Sequence, residues 1–303
     1  MMSDRIIAIL ILIISIILAI IIKIIMDWED QKEQSKEKKE TINKNIIIPT
    51  TSILSSEKEY SIKELLNQFT KDSIKKIPIG YNEKKEVESI NLEKENHFLI
   101  LGTTGGGKSI FLSEMVANTI MNYNAEEVKI ITMDTSIIEL SSFNGIPHYI
   151  KDTVVSPLEI IGELYEIKQE IMRRKRIKEK TIFLVIIDDY YDICSYESQI
   201  KEMIEEMLKE SKNTGIHFVL ATDTPSAEMM TENFKNQIDA FFYLTLSPGE
   251  IKDFNLDLTP KELEYTKELG NAIYKTKDKK VKIKIPDISE DEIKAIKNCY
   301  HER

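Results

Sequence analysis

Residues His97 to Ser109 read HFLILGTTGGGKS and constrain this chain more than any other stretch. The apolar run Phe98-Leu99-Ile100-Leu101 reads as a buried strand. It breaks at Gly102, and Ile110-Phe111-Leu112 opens a helical pattern after Ser109. Between strand and helix stands G-x-x-x-x-G-K-[ST], a phosphate-binding loop in the context such a loop requires. Glycines let backbone N–H groups curl around an anion without Cβ clashes, and the positive end of the next helix adds to the attraction. Gly102, Thr103, Thr104, Gly105, Gly106, Gly107, Lys108 and Ser109 are therefore expected to hold a nucleoside triphosphate, ATP. Lys108 is expected to reach the β- and γ-phosphates, and the Ser109 hydroxyl to be a Mg²⁺ ligand.

The pattern around the loop predicts the fold. A helix to about Tyr123 follows it, then a strand at 128–134 and a helix at 157–175. Ile182 to Ile187 is an apolar strand closed by Asp188-Asp189; a helix at 198–211 leads to a strand at 217–223. Further strands are expected at 241–246, 271–274 and 281–285, with a last helix after Ser289. Upstream, Ser61-Ile62-Lys63-Glu64 looks like a capping box opening a helix through Phe69. Two short strands at 77–80 and 87–92 come next. Apolar strands alternating with amphipathic helices predict an α/β fold whose mostly parallel sheet is covered on both faces.

Ligands in such sheets bind at the carboxyl ends of the strands, where the loop, Asp188-Asp189 and Thr222-Asp223 all fall. Asp188 is expected on the Mg²⁺ side of a nucleotide hydrolase, and Asp189 where such enzymes orient and deprotonate the attacking water. A solvated loop or a helix cap is the other reading of adjacent acids. Thr222 and Asp223 read equally as sensors of the γ-phosphate or as turn residues before Pro225. His148 and His217, set among apolar neighbours, read as structural, as do Tyr190 and Tyr191. The basic run Arg173-Arg174-Lys175-Arg176 could face DNA, a partner subunit or solvent; a solvated helix end is the default.

The ends carry other signals. Ile6 to Met26 is apolar except for Ser15 and Lys23. As a helix it would span about 31 Å, the thickness of the hydrocarbon core. Trp28 sits at interfacial level, and lysines 32, 36, 38, 39 and 44 follow the run against Arg5 before it. The expectation is a single-pass anchor in the cell membrane at 1–26, a polar linker at 27–56 and an ATPase domain at 57–303 in the cytoplasm. Two scattered cysteines, Cys194 and Cys299, make neither a disulfide framework nor a zinc site, and suit a reducing compartment. With four histidines, none spaced as ligand pairs, no metal beyond nucleotide-bound Mg²⁺ is expected.

GTTGGGKS, ITMDTSIIELSSFNGIPHYI (131–150), IIDDYYDI (186–193) and TGIHFVLATDTPS (214–226) resemble the motor domain of the FtsK/SpoIIIE DNA translocases. The resemblance runs from about Ile77 to Ile296, through LGNAIY (269–274) and ISEDEIKAI (288–296). It implies a RecA-like P-loop ATPase, assembled as a hexameric ring that pumps double-stranded DNA in chromosome segregation, sporulation or conjugative and plasmid transfer. A net charge of −10 offers no global basic field for nucleic acid, which still leaves room for DNA threaded through a ring. The chain departs from the family pattern in four places. The usual D-E pair is Asp188-Asp189, and A-T-Q-R-P-S becomes Ala221 to Ser226 with Asp223 in place of the amide. Phe241 aligns with a usual arginine, and the connection from Arg176 to Thr181 is short. The expected function is a membrane-anchored motor that moves double-stranded DNA. The alternatives are a weakly or non-hydrolysing ATP-binding scaffold, or a secretion-type ATPase acting on protein.

Overall fold

The computed structural model of the chain describes Lys23 and residues 61–69, 75–135, 140–179, 181–196, 198–223, 230–253 and 256–301. Helix α1 (Ile62–Gln68) begins where the Ser61 hydroxyl accepts the Glu64 N–H at 3.2 Å, which satisfies one of the orphan donors of the first turn. The hairpin β1 (Lys76–Asn82) and β2 (Val87–Asn91) follows. Strand β3 (Phe98–Leu101) is buried at every position and feeds helix α2 (Lys108–Asn122). The alternation continues through β4 (Val128–Met133), α3 (Pro157–Ile177), β5 (Ile182–Ile187), α4 (Tyr190–Tyr196), α5 (Ser198–Glu210) and β6 (Ile216–Thr222). Then come α6 (Glu232–Lys235), β7 (Ala240–Tyr243), α7 (Pro248–Asp253) and α8 (Pro260–Thr266). Strands β8 (Asn271–Thr276) and β9 (Lys280–Lys284) and helix α9 (Glu290–His301) complete the described chain.

Among the described residues nine strands form one sheet in the order β2-β1-β9-β8-β7-β3-β6-β5-β4. From β7 to β4 neighbours run parallel; from β7 back to β2 they run antiparallel. The sheet is therefore mixed, where the sequence pattern predicted a mostly parallel one. Parallel neighbours need a crossover of a dozen or more residues, and β8 returns to β9 across a turn too short for that.

The expected membrane anchor is corrected as well. Among the described residues no helix is long and apolar enough to cross a membrane. The stretch 6–26 on which that expectation rested lies, but for Lys23, outside the described residues. So do the 27–56 linker and the start of the 57–303 segment.

Alternation along the central strands sends side chains to two cores. Phe98 and Ile100 point to the face covered by α2, with Phe111, Leu112 and Met115. Leu99 and Leu101 point to the opposite face, covered by α3 and α5. Helix α3 buries Ile160, Leu164, Ile167 and Ile171, spaced as one face of a helix requires. Within the first core the fully buried Phe242 ring lies 4.8 Å from Phe111 edge to face, and 4.9 Å from Tyr274 in a stack. The histidines are structural. His97 Nε2 faces Leu208 O at 2.8 Å, His148 Nε2 faces Tyr123 O at 2.7 Å, and His217 Nδ1 faces Asn96 O at 3.1 Å. Burial holds all three neutral, pushing His97 down to about 3 and His148 and His217 to about 4.

Phe242→Ala should cost about 3–5 kcal/mol by denaturant unfolding, because it removes both ring contacts and leaves a cavity. Acid should act through the histidines. The unfolded chain takes up their protons near pH 6.5, whereas the folded chain resists until about 4, so this stability is present above 6.5 and lost as pH falls. Between pH 7 and 5.5, His148→Gln should lose about 1 kcal/mol less stability than the unsubstituted chain; equal losses would show that His148 does not resist protonation.

Candidate nucleotide-binding site

The loop leaves the sheet between β6 and β7, and both neighbours hold its root. Gly102 N–H donates to Thr222 O at 3.4 Å on the β6 side, and Thr103 N–H to Thr245 O at 2.8 Å beyond β7. Gly106 N–H then returns to Thr103 O at 2.8 Å. A Cβ on Gly106 would lie 2.8 Å from that carbonyl, and Gly107 has φ 94, so side chains are excluded where the loop turns tightest. Gly107 is also the N-cap of α2 and caps it with no side chain. The first N–H groups of a 15-residue helix are thus left facing outward with the positive end of its dipole.

Lys108 is 7% exposed and curls under the loop, its ammonium donating to Gly102 O at 3.0 Å and Thr103 O at 3.3 Å. Ser109 Oγ donates to Asp188 Oδ2 at 3.0 Å across the gap to the end of β5. Thr104 Oγ1 donates to Asp223 Oδ2 at 2.5 Å, joining the loop apex to the end of β6. Every site residue expected from the sequence, Gly102 to Ser109 with Asp188, Asp189 and Asp223, meets at one end of the parallel strands.

Three carboxylates crowd Asp189. Partial burial and then the Asp188 charge push it up to about 6, with smaller contributions from Asp223 and Asp134, while Lys108 opposes. Asp188 is 2% exposed; burial raises it, the Ser109 hydrogen bond works against that, and Asp134 adds to the rise. Asp189 also has a left-handed backbone, φ 54, and its N–H donates to Asp188 Oδ1 at 3.0 Å. Asp134, 1% exposed just past β4, was missed by sequence reasoning. The signal was there, an acid closing a third apolar strand, but no motif marked it. Thr245, which holds Thr103, carries no sequence signal at all.

The donor set fits Mg²⁺ with a triphosphate. Mg²⁺ takes few protein oxygens and completes its shell with water and phosphate, and Ser109 and Asp188 are two such oxygens already in contact. Among the described residues no group of three or more His, Cys, Asp or Glu is placed to hold a metal alone. Three of the four residues of the basic run on α3 are engaged elsewhere. Arg173 pairs with Glu170 and Glu179, Lys175 with Glu210, and the 4% exposed Arg174 donates to Thr214 O at 3.2 Å. Phe241, where the sequence resemblance implied an arginine, stacks on Tyr243 at 6.1 Å.

Comparison with known proteins agrees with this geometry. The family model described as the FtsK/SpoIIIE family matches residues 66–252. The chain is 27% identical over 247 residues to a DNA translocase FtsK of Caldanaerobacter subterraneus subsp. tengcongensis. That match takes in 75% of this chain and 35% of the relative, so the chain spans about a third of its length. Among solved structures, the cytoplasmic domain of the Type VII secretion ATPase EccC of Thermomonospora curvata is similar, with a TM-score of 0.64 at 16% identity over 79% of this chain and 34% of that one. The pCW3 conjugation coupling protein TcpA, in its monomer form with ATPgS, gives 0.60 at 14% over 83% and 75%. At such identities these two likenesses show the fold alone.

Removing the ammonium by Lys108→Ala should weaken ATP binding roughly 10- to 100-fold by calorimetry, the worth of a lost charge-assisted hydrogen bond. Because Lys108 is buried and holds Gly102 O and Thr103 O, the melting temperature of the variant is measured alongside; an unchanged ATP affinity in the folded variant would remove the basis of the nucleotide reading.

Proposed function

The chain belongs to the FtsK/SpoIIIE family, and on that premise we propose that it is a motor ATPase coupling ATP hydrolysis to the movement of double-stranded DNA through a ring of its own copies. The observation that carries the ATPase part is the Ser109–Asp188 hydrogen bond beneath an uncapped helix start, with Lys108 beside it. Family membership carries the DNA part. Mg²⁺, when bound, neutralises charge on the phosphate oxygens. The Lys108 ammonium turns from Gly102 O and Thr103 O toward the terminal phosphates. Ser109 and Asp188 would hold the metal through their side-chain oxygens. Asp189 accepts a proton from the attacking water at its carboxylate, and Thr104–Asp223 connects the loop apex to β6.

A second reading, an ATP-binding scaffold that hydrolyses slowly or not at all, is favoured by Asp189. Its side chain is one methylene shorter than the Glu of the family pair, and misplacement of about 1 Å can cost on the order of 100-fold in rate. The left-handed φ of 54 also suits Asp better than Glu, so lengthening the side chain trades backbone ease for reach. Phe241 in place of an arginine points the same way.

Steady-state ATPase of the full chain with and without double-stranded DNA separates the two. DNA should stimulate hydrolysis, and Asp189→Asn should abolish it while ATP still binds. With Asp189 at about 6 in the free protein, its base form grows about tenfold from pH 5 to 7, so kcat/KM should rise along a limb centred near 6. ATP binding without turnover, or a rate indifferent to both Asp189→Asn and pH, would leave the scaffold.

A further inference from the structure

We infer that Leu269, on the turn between α8 and β8, is the wall against which the nucleoside of the bound triphosphate packs. The inference rests on the nucleotide reading of the loop. The direction of the ligand follows from charge. The carboxylates of Asp134, Asp188, Asp189 and Asp223 all stand beyond β3 on the β6-β5-β4 side. A metal and the terminal phosphates belong there, beside Ser109 and Asp188. A triphosphate with its γ end on that side must send its sugar and base the other way, over β7 and β8.

Leu269 stands there. It is 56% exposed, yet a Cβ added to Gly107 would lie 3.2 Å from its Cδ1 and 3.5 Å from Leu244 Cδ2. The leucine therefore flanks the loop at the residue that caps α2. The turn presenting it is braced. Gly270 turns at φ 84 and its carbonyl accepts Ile285 N–H at 2.7 Å. The Lys284 ammonium donates to Leu269 O at 3.2 Å and Glu268 Oε1 at 2.8 Å, and Asn271 Nδ2 to Tyr265 O at 2.9 Å. Thr245 ties this turn to the loop itself: its carbonyl holds Thr103 N–H at 2.8 Å and its hydroxyl donates to Thr266 O at 2.8 Å.

A single exposed leucine ordinarily needs no explanation. This one is fixed at the open flank of an anion cradle, on the side the nucleoside must take. Its side chain offers apolar area and no hydrogen bond. It therefore gains affinity from the face of a base and does not read the base's edge, so its own contribution is the same for ATP and GTP.

Calorimetry on the full chain with Mg²⁺, using ATP, GTP and inorganic tripolyphosphate as probes, tests the assignment. Leu269→Ala should weaken ATP and GTP about five- to tenfold, the scale of roughly one to two methylenes lost from contact. Tripolyphosphate affinity should stay unchanged, and Leu269→Met should restore nucleotide binding. An ATP affinity indifferent to Leu269→Ala would overturn the inference. So would an equal loss of tripolyphosphate, because the leucine would then act only by supporting Gly107. If the unsubstituted chain binds tripolyphosphate as tightly as ATP, the nucleoside wall is wrong and the phosphate loop stands. If it binds neither, the nucleotide reading fails and the wall with it.

Discussion

The structure depends on the burial of β3 between β6 and β7. Its four residues, Phe98 to Leu101, are apolar and fully covered on both faces. At roughly 1.5–3 kcal/mol per buried side chain, moving this strand out of register would be costly. Because the strand cannot shift, the loop leaving its end cannot either. Gly102 is held by β6 and Thr103 by the segment after β7, so the cradle opens at a fixed place against fixed neighbours.

Electrostatics then determine what the cradle suits. The Lys108 ammonium works against four carboxylates, and the imbalance shows in Asp188 and Asp189, both raised above the usual range. A site so supplied with negative charge favours a divalent cation before it favours a polyphosphate. The uncapped start of α2 and the turned-in Lys108 supply the attraction for the anion. One patch thus holds two opposite preferences, which suits a metal–triphosphate pair better than either partner alone.

The antiparallel strands β8, β9, β1 and β2 extend the sheet on the side away from the acids. The segment after β7 brings Leu244 and Thr245 to the flank of the loop, and the turn before β8 brings Leu269. If the triphosphate lies as proposed, the acids beyond β6, β5 and β4 would meet its charged end and the β7–β8 side its apolar end.

Much of this was legible in the sequence. The G-x-x-x-x-G-K-S loop, the apolar strand ending in Asp188-Asp189 and the strand at 217–223 located the site, because strand period, glycine freedom and helix capping are local properties that each segment carries by itself. The quoted motifs also carried the family resemblance. The tertiary structure alone decided the mixed sheet, since periodicity does not tell which neighbour a strand pairs with. It alone brought in Asp134, Thr245 and Leu269, whose importance lies in distances to residues far along the chain. It also engaged three of the four residues of the basic run on α3, tying Arg173, Arg174 and Lys175 to acids and carbonyls. A charge read from sequence has no partner until folding supplies one; a glycine loop between a strand and a helix needs none to be recognised.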